Sequence, residues 1–100
     1  MNKKLEPVHP GDVLSEDFMK PLALSQNQIA RDLGVPPRRI NEIVLRKRRV
    51  TADTALRLAT YFKTSPQFWM NLQSSYDLDV ERVQVGSRIA REVHACSAVK

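Results

Sequence analysis

Between residues 25 and 44 the apolar positions form two short helical stripes, separated by a gap too small for anything but a sharp turn. Ser25 is placed to cap the first stripe, because its hydroxyl can accept from an unpaired backbone N–H in the opening turn. Ile29, Ala30 and Leu33 then share one face. Gly34 follows where the chain must leave the helix through a left-handed conformation, which costs a residue without Cβ little. The second stripe restarts at Pro36-Pro37. A residue before proline is pushed out of the helical region, so Pro36 suits the cap, and Pro37 suits the first helical position, whose N–H is unpaired anyway. Ile40, Ile43 and Val44 make the inner stripe, and Arg38, Asn41, Glu42 and Leu45 lie opposite. Two capped helices joined this closely, over residues 25–45, predict a helix-turn-helix.

The flanking pattern predicts further helices. His9-Pro10-Gly11-Asp12 opens one whose apolar side is Val13, Leu14 and Phe18, with Pro21 stopping it near Lys20. Thr51 caps another, in which Ala55, Leu58, Ala59 and Phe62 recur at helical spacing. Ser65-Pro66 starts a fifth, carrying Phe68, Trp69, Leu72, Tyr76 and Val80 along one side. This aromatic stripe reads as core, with Trp69 and Tyr76 at its edge. Gly86-Ser87 reads as a break, with a short last helix over 88–94. The expectation is an all-α, five-helix single domain over 1–100, with its core in 9–80. Residues 1–8 form an extended lead-in, and 81–100 a C-terminal tail or short helix.

Charge changes the picture once it is located. From Arg31 to Arg49, seven cations against two acids leave +5, the whole formal net charge of the chain. That excess lies on or just beyond the second helix of the motif, as an electrostatic footprint for a polyanion would. With 42% hydrophobic residues and no apolar run near the roughly 18 residues of a membrane span, the composition is that of a soluble domain. The N-terminal M-N-K-K leads into Leu5-Glu6-Pro7, not into the apolar stretch of a signal peptide, and Cys96 is the only cysteine. A cytoplasmic location follows as the expectation. His9 has no partner at ligand spacing and reads as structural or solvent-exposed. His94 and Cys96 supply two ligands where a structural zinc site takes four. No metal, cofactor or catalytic residue is expected: the acids are scattered, no nucleophile-base pair is evident, and three glycines make no phosphate loop.

The blocks H-P-G-D-V-L, S-Q-N-Q-I-A-R-D-L-G-V-P-P-R-R-I-N-E-I-V, R-V-T-A-D-T-A-L-R-L-A-T-Y-F and T-S-P-Q-F-W-M-N-L-Q resemble the HigA-type, or VapI-like, addiction-module antitoxins of the Cro and Xre helix-turn-helix class. The resemblance runs from about residue 9 to residue 79. It implies a compact lambda-repressor-like fold, a homodimer on a palindromic double-stranded operator, and autorepression of a toxin-antitoxin operon. It also implies a protein partner, a RelE-like (HigB-type) mRNA endonuclease toxin neutralised by direct binding. A stand-alone repressor without a toxin is the alternative.

Under that resemblance the DNA-contacting roles fall on matching positions. Arg38 has the planar fork that pairs with guanine O6 and N7, Asn41 suits adenine or a phosphate, and Glu42 suits cytosine N4 or the orientation of a neighbouring arginine. Gln26, Gln28, Arg39, Arg46, Lys47, Arg48 and Arg49 are expected on the sugar-phosphate backbone. Many members carry a polar or basic residue at the position of Pro37. Proline offers no donor, so readout moves to Arg38 and its neighbours.

Overall fold

In a computed structural model describing residues 6–99, five helices follow one another and no strand occurs among the described residues. Residues 1–5 of the expected lead-in lie outside the described residues. Helix α1 spans 10–22 as three continuous segments, Pro10–Val13, a wide π-type stretch Leu14–Met19, and Lys20–Leu22. The motif helices are α2, Gln26–Leu33, and α3, Pro37–Val44. They are followed by α4, Ala52–Phe62, and α5, Pro66–Glu92.

Local chemistry sets each boundary. The hydroxyls of Ser25, Thr51 and Ser65 accept from the backbone N–H groups of Gln28, Thr54 and Phe68, and each of these caps has extended backbone. Gly34 ends α2 with φ of 75°. Pro36 and Pro37 occupy the cap and first positions of α3. Helix α1 passes through Pro21 and ends at Leu22, two residues beyond the expected stop. A proline ring collides with the carbonyl four residues back, here that of Asp17. The widened turn just before it, in which Lys20 N–H bonds Ser15 O, loosens that carbonyl's place in the helix.

The core forms where these faces meet. Leu14, Ile29, Ile40, Ile43, Val50, Ala55, Leu58 and Trp69 are fully buried, drawn from every helix and from the segment before α4. Trp69 is central, not at the edge as expected, and its Nε1–H donates to Thr64 Oγ1 at 2.8 Å, so the indole is buried without an orphaned donor. Phe18 packs on Phe62 and Trp69, with ring centroids 4.6 and 5.2 Å apart.

The larger departure is at the C-terminus. Gly86 and Ser87 do not break the chain: α5 continues for 27 residues to Glu92, with no separate last helix. One glycine inside a helix costs only about 1 kcal/mol relative to alanine. No proline or left-handed residue is present there to stop propagation. The second half of α5 therefore extends away from the core; Leu78, Val83 and Ile89 on it are exposed, as is Val93 just past its end.

Candidate nucleic-acid interface

Helix α3 is placed from both sides. Its buried residues, Ile40 and Ile43, pack into the core, and α2 and α1 lie against it. Gly11 sits so close that a Cβ added there would overlap the Ile43 carbonyl. On the other flank Arg57 of α4 donates to Leu33 O at 2.8 Å, supplying a partner to a C-terminal carbonyl of α2. The same guanidinium bonds Asp53, whose Oδ2 also accepts from Arg39 of α3 at 2.9 Å. The guanidinium of Arg57, with Arg39 also contributing, holds the Asp53 carboxyl below its ordinary value.

The outward face of α3 carries Arg38, Asn41 and Glu42 together, as the spacing predicted. Arg38 is well exposed, its side chain 83% accessible against 24% for Glu42. Asn41 Nδ2 donates to Gln26 Oε1 at 3.1 Å, which joins the first turn of α2 to the middle of α3. Gln26 and Gln28 are both half-buried. Glu42 sits between two arginines: Arg38 Nε lies 3.0 Å from Oε2, and Arg48 Nε and Nη2 lie 2.8 and 2.7 Å from Oε1. The hydrogen bonds from Arg48 and then Arg38 keep its carboxyl below the usual range.

The cations expected on the backbone divide by what holds them. Arg46 leaves α3 in the left-handed region, with φ of 65°. Its fork closes on Asp12 of α1, Nε to Oδ1 at 3.0 Å and Nη2 to Oδ2 at 2.8 Å. Asp12 also accepts from the His9 N–H, so one carboxylate serves both the start of α1 and the turn after α3. Arg49 donates to Asp77 of α5 at 2.8 Å. Lys47 has no carboxylate partner among the described residues. The motif thus carries a row of charged and amide groups beside a loop whose arginines are tied to acids at Asp12, Glu42 and Asp77. The sequence pattern offered Glu42 as a partner for a neighbouring arginine but not Asp12 or Asp77, which stand 34 and 28 residues away in sequence from the arginines they hold.

His9 is buried, and its Nδ1 accepts from Gly11 N–H at 2.9 Å. Burial lowers its pKa against the opposing pull of Asp12. No group of three or more His, Cys, Asp or Glu side chains gathers at metal-binding distance among the described residues. No helix among them is long and apolar enough to cross a membrane.

The family model described as Helix-turn-helix matches residues 16–69. Virulence-associated protein I of Dichelobacter nodosus is 49% identical over 75 residues, covering 75% of this chain and 69% of that protein. An addiction module antidote protein of the HigA family from Coxiella burnetii superposes with a TM-score of 0.88 at 41% identity, over 92% of this chain and 100% of that one. The Pseudomonas aeruginosa antitoxin HigA, solved with the higBA promoter, gives 0.87 at 42% identity, over 89% of this chain and 97% of that one.

Proposed function

Because this chain belongs to the HigA family of helix-turn-helix addiction-module antitoxins, we propose that it binds operator DNA through α3 and represses its own operon. We infer also that it neutralises a RelE-like mRNA endonuclease toxin by direct binding. The observation that carries the DNA reading is the outward row of Arg38, Asn41 and Glu42, set beside the loop that holds most of the chain's excess charge. Arg38 enters the major groove and reads guanine, a contact worth about 1 to 3 kcal/mol of discrimination. Asn41 reads a base or phosphate from the position where Gln26 steadies it. Gln26, Gln28, Arg39 and Lys47 approach the sugar-phosphate backbone, Arg48 lies against Glu42, and Arg46 and Arg49 brace the loop.

A homodimer fits this reading, since a palindromic site asks for two-fold symmetry in the protein. The exposed apolar side chains of Leu78, Val83 and Ile89 on the projecting half of α5 support it.

The DNA reading is tested with a duplex from the region upstream of this gene, titrated at several salt concentrations. Tight binding that weakens steeply with salt is expected, and Arg38→Ala should relax base preference. Binding insensitive to salt would remove the electrostatic basis of the proposal. For the toxin, co-expression with the product of the adjacent open reading frame should give a stable complex and suppressed toxicity. A gene with no small neighbour favours the stand-alone repressor.

A further inference from the structure

Glu42 is the only acid on the outward row of α3, and an unpaired carboxylate there would repel an approaching phosphodiester. It is not unpaired. Its side chain is 24% exposed against 83% for Arg38, because the two guanidinium groups cover it. Those arginines come from different elements, Arg38 from the first turn of α3 and Arg48 from the loop beyond it. Their geometries differ in a useful way. Arg38 engages through Nε alone, at 3.0 Å, so neither terminal nitrogen is hydrogen-bonded to the carboxylate. Arg48 engages side-on through Nε and Nη2, which leaves it less of its fork for a phosphate.

We propose that Glu42 is a positioning residue that sets sequence discrimination, aiming the free end of Arg38 while withholding Arg48 from indiscriminate phosphate contacts. The proposal rests on the DNA-binding reading above. Affinity for any duplex comes from cations that displace counterions from phosphates, and specificity from groups already aimed at base edges. Glu42 weakens the first and strengthens the second. To accept from a cytosine amino group directly it would first have to release an arginine.

The test uses the full chain, wild type and Glu42→Gln, against the upstream duplex and a shuffled duplex of equal length and composition. Glu42→Gln should bind the shuffled duplex about tenfold more tightly, with a salt slope steeper by about one unit as Arg48 finds a phosphate. The ratio of upstream to shuffled affinity should fall by a similar factor. Adding Arg48→Ala to Glu42→Gln should return the shuffled affinity and slope to wild-type values, a reversal that a general loss of structure would not give. Glu42→Asp, one methylene too short to span both arginines, should fall between. An unchanged ratio in Glu42→Gln overturns the proposal. So does a loss of preference at a single base pair with shuffled binding unaltered, since Glu42 would then be reading that base itself. If the wild type does not prefer the upstream duplex, the DNA-binding reading fails, and this proposal with it.

Discussion

Gln73, buried on α5, accepts the backbone N–H of Val50 through Oε1 at 2.7 Å. Its Nε2 donates to Asp77 Oδ1 at 3.0 Å, and Asp77 Oδ2 holds Arg49 at 2.8 Å. The long helix therefore grips two consecutive residues at the end of the basic loop, one by its backbone and one by its charge. Tyr76, between them on the same helix, stacks edge-on against His9 with centroids 4.8 Å apart. The loop that follows α3 is fixed from behind by α5 as well as by α1.

Replacing Gln73 by Leu should leave the buried Val50 N–H without its acceptor, at a cost of about 1 to 3 kcal/mol. Thermal denaturation is the measurement, each kcal/mol lowering the midpoint by about 4 to 8 °C in a domain of this size. An unchanged midpoint would mean that the amide reaches water and that the grip contributes little.

His9 should make stability depend on pH near neutrality. Burial holds the folded imidazole below its ordinary value of 6.5, so the unfolded chain takes up the proton first as pH falls. The contribution of the neutral ring is complete above about pH 6.5 and is lost as pH falls through the lower folded value. Protonation at Nδ1 also removes the acceptor that caps α1. Replacing His9 by Ala should cost about 1 kcal/mol at neutral pH, and melts at descending pH should show a flatter decline than wild type over that interval.

Gly11→Ala should destabilise the fold although alanine favours helices, because its Cβ meets the Ile43 carbonyl and neither is the end of a flexible side chain. Overpacking of this kind costs about 1 to 3 kcal/mol, and more where backbone must move. Chemical denaturation is the readout, and an increase in stability would show that α1 and α3 can separate without loss.

Two neighbouring cations should behave differently toward DNA. Lys47→Ala should lower the salt slope of binding by about one unit, as the loss of a phosphate contact does. Arg46→Ala should leave that slope nearly unchanged, since its fork is occupied by Asp12. It should act on stability instead, lowering the thermal midpoint only slightly, as loss of a solvent-accessible ion pair does. Equal effects on the slope would place Arg46 on the phosphates after all.

The sequence by itself determined both ends of α2, the starts of α3, α4 and α5 and the identity of the outward row on α3. Caps at Ser25, Thr51 and Ser65, the turn at Gly34 and the Pro36-Pro37 restart act within a few residues, so their signals lie in the local pattern. Tertiary structure alone decided the rest. Whether Trp69 is central or peripheral depends on how α1 and α4 pack against it, bringing Phe18 and Phe62 onto the indole. Gly86 yields to the continuing helix because its penalty is small and no competing turn is present. Arg46, Arg48 and Arg49 are equivalent cations in the chain. They separate only when folding brings Asp12, Glu42 and Asp77 to their particular guanidinium groups, since an ion pair depends on distance in space and not along the sequence.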